Sequence, residues 1–92
     1  MTRLADDEIE RRLAGSSWSR EGEEIVRERK LDDFAAAMVF ANRVAELAEA
    51  ANHHPDILIH GWNKVRLTLS THSEGGITQA DFALADRIDE LG

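Results

Sequence analysis

The chain's four histidines, His53, His54, His60 and His72, all fall within one segment. Imidazole titrates nearer to neutral pH than any other side chain, so two or three of them around one cleft can supply both an acid and a base. The adjacent pair His53-His54 is followed by Pro55, the only proline. Proline stiffens the junction and disfavours helix at the residue before it. Short connections between regular elements commonly carry functional groups. Glu49 stands one helical turn before His53, so its carboxylate can orient that imidazole. A metal centre is the competing chemistry, but zinc asks for histidines four apart on a helix or a third ligand at defined spacing. Neither His53-His54 nor the interval from His54 to His60 supplies that.

These residues need a scaffold, and the pattern of apolar residues outlines one. Asp6 or Asp7 can cap a first helix whose inner face holds Ile9 and Leu13, with Gly15-Ser16-Ser17 ending it. Trp18 to Arg20 and Glu24 to Leu31 read as two strands joined at Gly22. Arg27, Arg29 and Lys30 are interleaved with Glu28, as on a solvated strand face. Asp32 or Asp33 opens a second helix. Phe34, Met38, Ala41, Ala45 and Ala48, with Ala37, Phe40, Val44, Leu47 and Ala51 one step round, form a wide stripe at helical period. That helix should end by Asn52. Ile57 to Trp62 and Lys64 to His72 read as strands. In the latter Val65, Leu67, Leu69 and Thr71 alternate with polar residues, so one face is buried. Gly61 suggests a bulge that moves Ile57 and Ile59 onto the face of Trp62. After Gly75-Gly76 the last helix begins at Thr78, with Asp81 three residues on, close to a capping box. Phe82, Ala85 and Ile88 form its inner stripe, widened by Leu84 and Leu91.

The order α-β-β-α-β-β-α implies an α+β fold: a four-stranded antiparallel sheet with three helices on one face. At 92 residues the chain holds one domain, 1–92, with 42% apolar and 32% charged residues. It has no cysteine, which removes disulfides, thiolate metal sites and cysteine nucleophiles together. The net charge of −7 makes nucleic acid and anionic membrane poor partners. Without an apolar signal segment or a span of about 20 apolar residues, a cytoplasmic protein is expected.

Together the residues resemble a family signature. Glu49, His53-His54-Pro55, Trp62, His72 and Asp81, at these intervals, resemble the pterin-4a-carbinolamine dehydratases. The mammalian member also serves as a dimerisation cofactor of a homeodomain transcription factor. Asn63-Lys64-Val65, Thr68-Leu69-Ser70-Thr71-His72, Trp18 and Asp33-Phe34 are similar as well, so the resemblance covers nearly the whole chain. Trp62 stands where Tyr is common.

The resemblance implies a hydro-lyase that dehydrates a 4a-hydroxytetrahydropterin to the quinonoid dihydropterin, recycling a tetrahydrobiopterin-type cofactor. It implies no metal and no cofactor, the pterin being substrate. The catalytic set carried over is His53, His54 and His72, with His53 and His72 exchanging protons and His54 orienting the pterin. Glu49, Trp18 and Asp81 support or bind: Trp18 beside the flat ring, Asp81 more as a helix cap than an acid. His60 lies outside the signature. A homodimer or homotetramer is expected, because an apolar face or open sheet edge needs cover. A catalytically silent assembly module on the same fold is the alternative.

Overall fold

Asp33 is where the chain commits to its longest helix. Its carboxylate accepts a 2.7 Å hydrogen bond from the Ala36 N–H, satisfying a donor that has no partner within the helix. From there eighteen residues, eight of them alanine, run as α2 (Phe34–Ala51). The computed structural model describes residues 2–92. In order they form α1 (Asp6–Leu13), β1 (Ser19–Glu21), β2 (Glu24–Lys30), α2, β3 (Asp56–His60), β4 (Lys64–Leu69), a 3₁₀ turn (His72–Glu74) and α3 (Gln79–Asp89). The strands form one antiparallel sheet in the order β1-β2-β4-β3. The α+β arrangement is thus the one expected.

One hydrophobic core joins the three helices to one sheet face. Ile9 of α1, Ala37, Phe40 and Val44 of α2, and Leu84, Ala85 and Ile88 of α3 meet Ile25, Val65, Leu67 and Leu69. The alternation in β4 is borne out, with Val65, Leu67 and Leu69 buried. Of the two neighbouring stripes on α2, the one through Ala37, Phe40 and Val44 faces inward, while Phe34 and Met38 remain exposed.

Several local expectations are corrected. Helix α1 begins at Asp6, but Ala5 holds the N-cap position and no side chain caps it. Asp6, Asp7 and Glu8 instead occupy the first turn, where acids favour the helix dipole. Trp18 precedes β1, and β4 stops at Leu69, so His72 lies in the 3₁₀ turn beyond it. Gly61 is no bulge. It begins the three-residue connection Gly61-Trp62-Asn63, closed by a 2.7 Å bond from the Asn63 N–H to the Gly61 carbonyl. Trp62 sits at its centre with φ 59°, unusual for a bulky residue. Ile57 and Ile59 reach the helix side simply because they pair with Leu67 and Val65.

Arg27 and Arg29 are not on a solvated face. They pair with Leu67 and Val65 and so share the helix side. Arg27 bonds Asp89 at 2.9 Å, and the Arg29 guanidinium lies 4.8 Å from the centre of the Phe40 ring. At the opposite end, Arg3 and Arg20 clasp Asp6 and Glu23. These hydrogen bonds hold both carboxyls below the usual carboxylate range.

Replacing Asp33 by Ala should lower unfolding free energy by about 1 kcal/mol, the usual worth of an N-cap. Urea denaturation with an unchanged m-value checks this.

Candidate functional site

The site is organised by the helix α2 terminus and the start of α3. At the end of α2, Asn52 adopts the left-handed conformation, with φ 50° and ψ 44°. The Asn52 N–H donates to the Glu49 carbonyl and the His53 N–H to the Ala48 carbonyl. This six-to-one, five-to-two pairing is the Schellman ending, which usually takes glycine or asparagine at the left-handed position. It turns the chain so that His53 points inward and His54 outward. The His53 side chain is 16% exposed and that of His54 59%.

At the start of α3, Thr78 and Asp81 form a complete capping box. The Thr78 N–H donates to Asp81 Oδ2 at 2.8 Å, and the Thr78 hydroxyl accepts from the Ala80 N–H at 3.2 Å. Asp81 is fully buried. A buried carboxylate must find donors for both oxygens. Its Oδ2 also accepts from the Thr71 hydroxyl at 2.9 Å, and its Oδ1 stands 2.6 Å from His53 Nε2. Thr71 and Thr78 hydroxyls lie 2.8 Å apart, which extends the chain of hydrogen bonds.

With Asp81 as acceptor, the proton of a neutral His53 ring sits on Nε2. Nδ1 then keeps the lone pair. The ring borders a cavity of about 320 Å³ between α2 and α3. Its walls are Leu47 and Ala51 on one side and Ala80, Ala83 and Leu84 on the other. The polar groups on its lining are His53 and Arg87.

Of the remaining sequence candidates none lines the cavity: His54 points outward and His72 is exposed in the 3₁₀ turn. His72 follows Thr71 directly, so the Thr71–Asp81 bond ties the segment carrying His72 to the carboxylate that holds His53. Glu49 does not orient His53. Its Oε2 lies 2.5 Å from His54 Nε2, because the turn at Asn52 carries His54 back towards the surface of α2. Asp81 is the helix cap expected of it, and it contacts His53 as well.

Trp18 is not beside the cavity. It is 4% exposed within the core, and its indole N–H donates to Asp89 Oδ1 at 2.9 Å. An apolar ring with one donor at its edge is well served by that arrangement. His60 is on β3, paired with Glu28 on the far side of the sheet. Among the described residues no three His, Asp or Glu side chains converge as a metal ion would need.

Thr71, Thr78 and Arg87 were not singled out as site residues from sequence. The capping-box spacing was the available signal for Thr78. Nothing local marks Thr71, since its role depends on contact with a residue ten positions away.

A buried carboxylate holding an imidazole at the lip of a small apolar cavity defines an acid–base site on an α+β domain. The comparisons agree with the family that the residues resemble. The family model for pterin 4 alpha carbinolamine dehydratase matches residues 2–91, and the chain belongs to that family. A relative in Roseiflexus sp. (strain RS-1) is 54% identical, covering 98% of this chain and 97% of its own. One in Natronomonas pharaonis is 47% identical, covering 97% and 95%. Both carry the provisional name pterin-4-alpha-carbinolamine dehydratase.

Among solved structures, a transcriptional coactivator/pterin dehydratase from Brucella melitensis superposes with a TM-score of 0.90 at 33% identity, covering 98% of each chain. A pterin dehydratase-like protein described as a RuBisCO assembly factor of the alpha-carboxysome gives 0.68 at 28%, covering 82% of this chain and 88% of its own.

Asp81→Ala should cost about 3 kcal/mol of stability or more. It removes a cap and strands the Thr78 N–H, the Thr71 hydroxyl and the His53 ring. Glu49→Ala breaks only an exposed pair and should cost less than about 1 kcal/mol. Parallel urea titrations of the two variants test the contrast.

Proposed function

We propose that the protein is a 4a-hydroxytetrahydropterin dehydratase working by histidine acid–base catalysis, with no metal or cofactor. The observation that carries this is the His53–Asp81 pair at the cavity lip. The buried carboxylate uses His53 Nε2 and leaves Nδ1 as the ring's free acceptor.

In the reaction the C4a–O bond breaks and a proton joins the departing oxygen, so the group leaves as water. The N5–H bond gives its electron pair to a new C4a=N5 double bond, and its proton passes to a base. The product is the quinonoid dihydropterin, and one proton is taken up for each one released. We assign the two transfers to His53 and His72, and the holding of the pterin to His54 with Glu49. Positioned imidazoles typically contribute 10²–10⁴-fold in such proton transfers.

Self-association belongs to the same proposal. Strand β3 is a sheet edge, with Leu58 52% exposed, and Phe34 on α2 is 55% exposed. Apolar side chains beside an open edge favour pairing with a second copy, as a dimer or tetramer. For location, no helix among the described residues is long and apolar enough to cross a membrane. The cytoplasm remains our proposal.

The alternative is a silent assembly module. Exposed Phe34, Val39, Leu58 and Trp62 favour it, as does the likeness to the RuBisCO assembly factor.

Adding the protein to freshly generated 4a-hydroxytetrahydropterin should accelerate the ultraviolet change of dehydration over buffer. His53→Ala and His72→Ala should each lose about 10²-fold or more in turnover, and His60→Ala should not. No acceleration by the unaltered protein would favour the assembly module. A second prediction concerns association: Leu58→Asp combined with Phe34→Asp should shift the mass measured by light scattering to that of a single chain. An unchanged mass would overturn the proposed contact surface.

A further inference from the structure

The cavity beside His53 has a second polar feature that dehydration does not call for. Arg87 lines it, on the α3 wall. Ala80, Ala83, Leu84 and Arg87 follow one another at helical spacing along one face of the helix. Arg87 is seven positions after Ala80, an axial distance of about 10 Å at 1.5 Å per residue. Ala80 adjoins Asp81, the partner of His53. The cavity therefore has an imidazole towards one end, an apolar middle and a guanidinium towards the other.

Arg87 also lacks an internal anion. Among the described residues Arg3, Arg11, Arg12, Arg20, Arg27 and Arg66 form ion pairs, whereas Arg29, which lies over the Phe40 ring, Arg43 and Arg87 form none. The positions four residues away on either side are Ala83 and Leu91, which removes the helix pairing that usually occupies such a cation. Glu90, three residues on, is not within ion-pair distance. What distinguishes Arg87 from Arg29 and Arg43, which border a different cavity, is that it shares its cavity with the His53 imidazole. A guanidinium offers five donors in a planar fork suited to carboxylate or phosphate.

We propose that Arg87 makes the cavity selective for pterins whose side chain at ring carbon 6 ends in an oxyanion. With the N5 edge of the bicycle at His53, the adjacent C6 substituent runs along Ala83 and Leu84 towards the guanidinium. The inference rests on the cavity being the pterin site. A cation in the last turn of α3 also complements the helix dipole. That role bears on stability and leaves ligand discrimination untouched.

The test is equilibrium binding, which does not depend on turnover. Pterin-6-carboxylate and 6-hydroxymethylpterin are titrated against the intact protein by pterin fluorescence. The carboxylate should bind about tenfold more tightly at low salt, as expected for one charge-assisted contact that water partly screens. The preference should shrink as salt is added. Arg87→Gln, verified as folded by circular dichroism, should reduce the ratio of the two affinities to about one, and Arg87→Lys should restore part of it. Equal affinities in the unaltered protein, or a ratio unmoved by Arg87→Gln, would overturn the role of Arg87 while leaving the dehydratase reading intact. If neither pterin binds, the role of Arg87 falls, while the dehydratase reading is decided separately by turnover of 4a-hydroxytetrahydropterin.

Discussion

Asp81 is the residue around which the rest of this molecule is arranged. A fully buried carboxylate is costly unless both oxygens are met by donors. Here the donors come from three stretches of chain: Thr78 at the start of α3, Thr71 beyond β4, and His53 at the end of α2. Satisfying one carboxylate thereby closes the helix start, anchors the loop that carries His72 and aims an imidazole. Folding and chemistry share this one interaction. A relative without catalysis would still need the aspartate for its helix and a donor at position 53 for Oδ1. Retention of the aspartate alone is thus poor evidence of activity.

The charges are distributed unevenly for a purpose that the sheet makes plain. Arg27 and Arg29 border the core on the helix side, where an ion pair and an aromatic ring accept them. The far side of the sheet is polar and cross-linked by Arg66–Glu21 and His60–Glu28. What stays uncovered and apolar is Leu58, which pairs with Arg66 and so projects from this face at the β3 edge, together with the outer stripe of α2.

Much of this was legible in the sequence. The 3.6-residue stripe of α2, the period of two in β4 and the Thr78-x-x-Asp81 spacing each follow from local geometry, and each identified its element. The signature residues were legible through their resemblance to the family. Other features were hidden because they depend on partners distant in sequence. Trp18 looked available for a flat ligand until Asp89, 71 positions away, supplied its donor with an acceptor. Glu49 was matched with the wrong histidine because helical periodicity carries no information past the residue where the helix ends. The inward turn of Arg27 and Arg29 reflects register with β4, which charge interleaving alone does not reveal.

The left-handed residue at Asn52 has a consequence for how the family can vary. Two neighbouring, chemically identical side chains are given opposite destinations by one backbone angle, so they are not spares for each other. Removing one residue before His53 would bring the next imidazole to the inward position, and adding one there would displace both from it. The junction should therefore tolerate changes of side chain far better than changes of length. Gaps in related sequences should cluster elsewhere, in connections such as the one between β3 and β4.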